Sequence, residues 1–260
     1  MKRLEINFWA LGAAALIFLF ALYIYLLASM EEKAREEQTM AEKEAGEAPA
    51  PEERPPASVV YCWGDSMTEG AGSTGDSFPQ TLERLTGLPC INMGIGGETS
   101  REILERCLAE GKHEDAVLVI TMGDNGGWIN IDDLIGQYYQ MAAAAGTDRF
   151  IICSSTDDPD DFEQIWGYLK MPIGLSSTWY EARYERTFGE HLFIGRKYLI
   201  RNGLAINGLQ ETEEDRARAF KGNISLQLRN PEEDNTHLNE AGYRAVAHGI
   251  FEKGRELGYW

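Results

Sequence analysis

Short apolar runs alternate with helix-like segments through the larger, C-terminal part of this chain, and the alternation limits the folds open to it. Four runs have the length and composition of buried strands: residues 59–63, 90–93, 116–122 and 150–154. Between them, apolar residues recur at helical spacing, as at Ile103, Leu104 and Cys107. Such alternation predicts a parallel sheet with helices on both faces, and therefore one α/β domain over residues 59–260.

Capping residues predict where several of the helices begin and end. Thr99 and Glu102 fit a capping box, and Gly111 follows as a C-cap. Further helices are predicted near 134–145 and 239–257 from their apolar spacing. Within 156–233 the pattern is weaker. There, 192–200 is interpreted as a fifth strand, and 179–188 and 211–220 as helices.

The N-terminal part carries a long run without a charged residue, from Phe8 to Met30. As a helix rising about 1.5 Å per residue, it would cross the roughly 30 Å hydrocarbon core of a bilayer. We interpret residues 1–30 as a cytoplasmic N-terminus and a transmembrane anchor; a cleaved signal peptide and a buried core helix are the alternatives. Lys2 and Arg3 precede the run, so the positive-inside bias directs the remaining chain to the extracytoplasmic side of the cell membrane.

Residues 31–58 are charged and then rich in proline, with almost no large apolar side chain. This composition is typical of a linker. The net charge of the chain is -18, which argues against nucleic acid as a partner because phosphate binding needs basic surface. The membrane, reached through the N-terminal helix, is the predicted partner, together with a small substrate.

The four cysteines are Cys62, Cys90, Cys107 and Cys153, and none of their spacings matches a zinc motif. Three of them lie in strand-like stretches, where a free thiol packs as a small apolar group. Buried thiols are therefore favoured over disulfides, although an extracytoplasmic location would permit disulfides.

A serine follows the first predicted strand directly, in Gly64-Asp65-Ser66. It should lie at the carboxyl edge of the sheet, where open α/β sheets bind ligands. Since a serine hydroxyl is a weak nucleophile without a base, a histidine is required elsewhere. His237 precedes the last helix and has Asp234 three residues before it, which could orient the imidazole.

Other polar residues are given structural interpretations. Ser77 repeats the Gly-Asp-Ser tripeptide but, with Gln80, fits a helix N-cap. His113, His191 and His248 lack the sequence context of His237 and are taken as surface or structural histidines. An aspartate cluster (Asp157, Asp158, Asp160, Asp161) is interpreted as a solvated loop rather than a calcium site. Three tryptophans (Trp128, Trp166, Trp179) either line a substrate cleft or pack in the core. Asn223 begins a sequence that matches a glycosylation acceptor, a pattern common by chance.

Four sequence blocks, in order, carry a family resemblance: GDSMTEG, INMGIGGETS, MGDNGG and DNTHLNEAGY. They resemble the four conserved blocks of the SGNH hydrolase family, also described as GDSL-like lipases and esterases. The resemblance covers the chain from Val59 to the C-terminus. It implies a three-layer α/β/α sandwich with the flavodoxin-like strand order 2-1-3-4-5.

Carried over by position, the resemblance implies a catalytic triad of Ser66, Asp234 and His237. It also implies an oxyanion hole formed by the backbone N–H groups of Ser66 and Gly97 and the side chain of Asn125. Gly97 aligns best among the three glycines of the second block. The third block departs from the family pattern, because Gly126 stands where relatives carry an aspartate.

The resemblance further implies a serine esterase that acts without a metal or cofactor. From the predicted location, its substrates would be short acyl groups, such as acetyl, on extracellular glycans or similar esters. An O-acyltransferase and a lysophospholipase with the same triad are alternatives. A non-catalytic binding module is the alternative from a different class.

Overall fold

The computed structural model describes residues 56–159, 174–230 and 236–260. A five-stranded sheet organises them, in the order β2-β1-β3-β4-β5, and every neighbouring pair is parallel. The strands are β1 Val59–Gly64, β2 Cys90–Gly94, β3 Ala116–Thr121, β4 Phe150–Cys153 and β5 Leu192–Phe193. The predicted parallel α/β sheet and its strand order are confirmed.

Helices cover both faces of this sheet. In chain order the helices are α1 Ser66–Glu69, α2 Phe78–Thr86, α3 Ser100–Glu110, α4 Ile131–Ala145, α5 Trp179–Phe188, α6 Gly195–Tyr198, α7 Leu204–Ile206, α8 Glu213–Lys221 and α9 Glu240–Glu256. A π-helical turn, Leu199–Gly203, joins α6 to α7. Shorter 3-10 turns lie at Gly127–Asn130, Gly189–His191 and Leu226–Leu228.

Side chains alternate between the two faces along each strand and so divide the core in two. Val60 and Cys62 of β1 pack on one face with α2 and α9, while Trp63 packs on the other with α3 and α4. Large aromatic side chains are buried on each face of the sheet; Tyr138 and Tyr243 are both 1% exposed. The two cores hold the sheet between helical layers, which confirms the predicted three-layer arrangement.

The fifth strand is shorter than predicted. Pairing with β4 stops after Phe193, because β4 itself ends at Cys153. Beyond that point the Gly195 N–H donates to Ser154 Oγ at 3.2 Å, and the chain turns into helix. The predicted strand 192–200 is therefore wrong beyond its first two residues. A short apolar run fits both the two-residue period of a strand and the 3.6-residue period of a helix. The length of the partner strand decides which of the two forms.

Two predictions concern residues at the start of the chain. The transmembrane run Phe8–Met30 and most of the linker, residues 31–55, lie outside the described residues. Among the described residues, no helix has the length and apolar character needed to cross a bilayer. The end of the predicted linker needs correction: Ala57 is 7% exposed and packs in the core, so the folded domain begins slightly before residue 59.

All four cysteines carry free thiols, as favoured from the sequence. Cys62, Cys107 and Cys153 are buried and Cys90 is partly buried. Burial raises the pKa of the Cys90 and Cys153 thiols to about 12, so neither forms a reactive thiolate near neutral pH.

Candidate active site

Ser66 is the first residue of α1 and follows β1 after a single intervening residue. Its strand lies between β2 and β3, at the point where the chain order of the sheet reverses. Ligands of open α/β sheets bind at such a point, outside the carboxyl ends of the strands. The fold therefore places the predicted nucleophile where a substrate can reach it.

The tight turn before Ser66 depends on two neighbours. A Cβ on Gly64 would lie 2.3 Å from the Thr121 carbonyl oxygen of β3, so only glycine fits there. Asp65 is fully buried and its Oδ1 accepts a hydrogen bond from the Met67 N–H at 3.1 Å, which caps α1. Together they turn the chain out of the sheet at Ser66.

His237 meets this serine across 171 positions of sequence: its Nε2 lies 2.9 Å from Ser66 Oγ. The histidine lies on a segment that runs antiparallel to residues 228–230. The Asn230 N–H donates to the His237 carbonyl at 3.2 Å, and Leu238 pairs with Arg229. Asn239 then caps α9. The sequence-predicted pair of nucleophile and base is brought together at hydrogen-bond distance.

The loop after α1 supports the histidine from the other side. A Cβ on Gly72, whose φ is 82°, would lie 2.7 Å from His237 Cβ. The Asn230 side chain donates to the Gly72 carbonyl at 2.8 Å. Glycine is thus required at position 72 both by its left-handed backbone and by the space the histidine takes. This contact was not anticipated from the sequence.

Asp234, the predicted orienting carboxylate, lies outside the described residues. Its role therefore stays a prediction.

The second-block loop lies beside Ser66. A Cβ on Gly96 would lie 3.8 Å from Ser66 Cβ, and Asn125 Nδ2 donates to the Glu98 carbonyl at 2.9 Å. Gly97 has a φ of 80° with open space around it, whereas Gly94 is pressed against the backbone of α1. The structure thus links the loop of Gly97 to Asn125. Their oxyanion roles stay predictions.

A cavity that is partly open to solvent lies at the carboxyl ends of β3 and β4. Its lining combines apolar or aromatic residues with carboxyl and hydroxyl groups: Met122, Leu134, Tyr180, Tyr184, Asp124, Asp157, Glu181, Ser154, Ser155 and Thr178, with Arg196 and Gly123. Asp124 directly precedes Asn125 in the sequence. The cavity therefore adjoins the loop that carries the predicted oxyanion side chain.

Three carboxyl groups interact between the nucleophile and this cavity. Burial is the main cause that raises the pKa of Asp65 to about 6; the hydrogen bond from the Met67 N–H opposes this rise, and the nearby charge of Asp157 adds to it. Burial and the charges of Asp157 and Asp65 also hold the pKa of Asp124 well above its usual value. Desolvation and like charge both favour the protonated form, so this region carries less negative charge than its carboxyl count suggests.

Several predicted residues lie elsewhere. Ser77 caps α2, with its N–H donating to Gln80 Oε1 at 3.0 Å, as predicted. His113 stacks on Tyr61 and His191 on Phe150, which fits their structural interpretation. Asn223 is 5% exposed, so it offers no acceptor for a glycan in the folded domain.

The aspartate cluster needs correction. Asp158 is 7% exposed and forms ion pairs with Arg218 and Arg229, and Asp157 lines the cavity, so neither belongs to a solvated loop. No metal-binding group of side chains is found among the described residues. Asp160, Asp161, Trp166 and the side chain of Trp128 lie outside them. Trp179 is 57% exposed, between two residues that line the cavity.

No family model and no curated protein matches this chain. Among solved structures it is similar to a member of the lipolytic protein G-D-S-L family from Veillonella parvula DSM 2008, at 11% identity and a TM-score of 0.41, over 75% of this chain and 96% of that one. It is similar to TesA at 17% identity and a TM-score of 0.47, over 76% and 99%. It is also similar to AlinE4, an SGNH-hydrolase family esterase, at 15% identity and a TM-score of 0.39, over 62% and 86%.

Asn125→Ala tests the oxyanion assignment. An oxyanion donor binds charge that is largest in the transition state, so we expect kcat for an ester to fall by about 100 to 1,000-fold while KM changes little. Steady-state kinetics on the full-length protein measure both. Asn130→Ala is the matched control, because Asn130 only caps α4 and should cost about 1 kcal/mol of stability. A raised KM with intact kcat would instead make Asn125 a substrate-binding residue.

Proposed function

We propose that this protein is a serine esterase, with Ser66 as nucleophile and His237 as general base. The observation that carries the proposal is the 2.9 Å contact between Ser66 Oγ and His237 Nε2 at the carboxyl edge of the sheet. A serine and a histidine in such contact can form and hydrolyse an acyl-enzyme. The four sequence blocks support the same assignment.

The proposed reaction has two half-reactions. In the first, His237 Nε2 accepts the Ser66 proton as Ser66 Oγ attacks the ester carbonyl, and His237 then donates that proton to the leaving alcohol. The N–H groups of Ser66 and Gly97 and the amide of Asn125 would stabilise the oxyanion. In the second, His237 removes a proton from water as the water oxygen attacks the acyl carbonyl, and His237 then donates that proton to Ser66 Oγ as the bond to the serine breaks and the acid is released. Asp234 would orient the imidazole, and no metal or organic cofactor takes part.

The lining of the cavity favours short acyl groups. Met122, Leu134 and Tyr184 offer apolar contact, but Asp124 and Asp157 interrupt it. A long alkyl chain would displace water from these carboxyl groups without replacing their hydrogen bonds, which is unfavourable. An acetyl or similarly short group would occupy the apolar part alone. We therefore propose short-chain esters as the substrate class; acetylated extracellular glycans are the candidates that the predicted extracytoplasmic location supports.

A chain-length series tests this function. We expect the full-length protein to hydrolyse p-nitrophenyl acetate and butyrate with a higher kcat/KM than the laurate or palmitate ester. Preference for the long esters would favour lysophospholipid hydrolysis. Faster ester consumption on addition of a sugar, with an acylated sugar as product, would favour acyl transfer. If the folded protein hydrolysed none of these esters, a non-catalytic binding module would be the favoured function.

The membrane anchor and extracytoplasmic orientation are also proposals, based on Lys2, Arg3 and the uncharged run Phe8–Met30. Protease added to intact cells should release the catalytic domain by cutting within residues 31–55. Release only after the cells are lysed would contradict the orientation.

A further inference from the structure

Arg229 is almost completely buried, at 1% exposed, although an arginine side chain is rarely found in such a place. Its guanidinium makes three contacts. Nη1 donates to the Thr236 carbonyl at 2.8 Å, and Nη2 donates to the Thr156 carbonyl at 2.7 Å and to Asp158 Oδ1 at 3.0 Å. Thr236 is the residue directly before His237. The guanidinium therefore joins the histidine segment to the segment that follows β4.

The segment after β4 has two faces with different partners. Ser155 and Asp157 line the cavity, whereas the alternate positions, Thr156 and Asp158, hold Arg229. Asp158 is itself fixed, because its Oδ1 accepts from the Ile224 N–H at 2.9 Å and its Oδ2 pairs with Arg218. The same short stretch of chain therefore forms a wall of the cavity and an anchor for the arginine.

Contacts on successive residues fix the histidine segment. Arg229 holds the Thr236 carbonyl, the Asn230 N–H holds the His237 carbonyl, and Leu238 pairs with the backbone of Arg229. The Asn239 side chain adds a hydrogen bond to the Arg229 carbonyl at 2.8 Å. Of these contacts, only the guanidinium ties the segment to the carboxyl end of β4. Without the guanidinium, the backbone pairing would attach the histidine segment to residues 228–230 but not to the segment after β4.

We propose that Arg229, held by Asp158, is a positioning residue that sets His237 at hydrogen-bond distance from Ser66. The inference rests on the proposed function, since it is as a general base that His237 needs this placement. A lysine could not replace the arginine fully, because an ammonium is a compact point charge without the planar fork that reaches three acceptors at once. A displacement of about 1 Å at a reacting group can lower a rate by about 100-fold.

The kinetic test compares Arg229→Met with Arg218→Met in the full-length protein. Both remove an ion pair to Asp158, but among the described residues the other side-chain hydrogen bond of Arg218 goes to the Ile224 carbonyl and none goes to residues 236–239. We expect Arg229→Met to lower kcat by about 100-fold and to change KM by less than about threefold. Arg218→Met should lose some stability in urea, because it also breaks an ion pair with Asp158, while keeping kcat within about twofold of wild type. Equal kcat losses in the two variants would overturn the proposal.

Arg229→Lys provides a second variant if Arg229→Met does not fold. It keeps the positive charge but makes fewer hydrogen bonds, so we expect an intermediate loss of kcat. Arg229→Ala assayed with added guanidinium at millimolar concentration should recover part of the lost rate, because the small cation can fill the vacated site. Wild-type kcat in a folded Arg229→Lys or Arg229→Ala protein would contradict a positioning role.

A measurement independent of catalysis separates failure of this inference from failure of the proposed function. NMR measures the signals of the His237 ring nitrogens, which are assigned by their absence from His237→Gln. The signals are compared between proteins with and without the Ser66→Ala change. In the wild-type background the Ser66→Ala change should shift the Nε2 signal, because it removes the hydrogen bond. In the Arg229→Lys background that shift should shrink or vanish. An undiminished shift there would overturn the inference, whether or not the protein hydrolyses esters.

Discussion

Ser66→Ala is expected to lower ester turnover by the full-length protein about a millionfold, to the level that binding and the oxyanion donors sustain alone. The reason is that alanine has no atom that can form the acyl-enzyme, so His237 has no proton to accept from residue 66. Steady-state hydrolysis of p-nitrophenyl acetate measures the loss. Circular dichroism and urea unfolding should show a folded protein, since the partly buried hydroxyl mainly contacts His237.

Ser77→Ala is the matched control, because Ser77 lies in a second Gly-Asp-Ser tripeptide. Its hydroxyl and N–H belong to the cap of α2, so its loss should cost about 1 kcal/mol of unfolding free energy. Turnover should stay near the wild-type value. Loss of turnover in Ser77→Ala, with turnover intact in Ser66→Ala, would show that the wrong serine has been assigned.

His237→Ala should be almost as damaging as the loss of Ser66, again by about a millionfold, because the two residues act as a unit in both half-reactions. Asp234→Ala should leave more activity, by roughly 10 to 100-fold, since an orienting carboxylate moves no proton itself. The same ester assay gives both numbers. Equal losses in the two variants would assign Asp234 more than an orienting role.

His113→Ala is the control for removing an imidazole. His113 precedes β3, at the opposite edge of the sheet from Ser66, and stacks on Tyr61 with ring centroids 4.0 Å apart. Its removal should weaken that packing and leave kcat unchanged. A kcat loss comparable to that of His237→Ala would mean that the assay reports folding rather than catalysis.

Much of the site was predictable because its residues follow local patterns. A serine close after a buried strand and a histidine close before the last helix have positions that strand and helix periodicity define. The capping box of Thr99 and Glu102 is present as predicted, with the Thr99 N–H donating to the Glu102 carboxylate at 2.8 Å. The strand, helix and cap positions depend on residues close in sequence, whereas the contact between Ser66 and His237 joins residues 171 positions apart.

The supports of the site could not be predicted, because their partners are distant in sequence. Arg229 and Thr156 are 73 positions apart in the sequence, and no local pattern near either residue predicts their hydrogen bond. The sequence predicts a solvated acidic loop at Asp158, and only its ion pairs with Arg218 and the buried Arg229 show that it is structural. Nothing in the sequence near Gly72 indicates that this residue packs against His237.

The predicted length of the fifth strand was wrong for a related reason. An apolar run such as 192–200 is compatible with a strand or a buried helix, and the end of β4 decided the outcome.

Mapping the residue to which a fluorophosphonate attaches shows whether Ser66 is the nucleophile that His237 activates. The reagent reacts with an activated serine and stays bound, so mass spectrometry of the digested full-length protein identifies the residue. We predict a single adduct on Ser66, absent from Ser66→Ala and strongly reduced in His237→Ala. An adduct on Ser77 or any other residue, or ester hydrolysis with Ser66 unmodified after complete inhibition, would contradict the assignment.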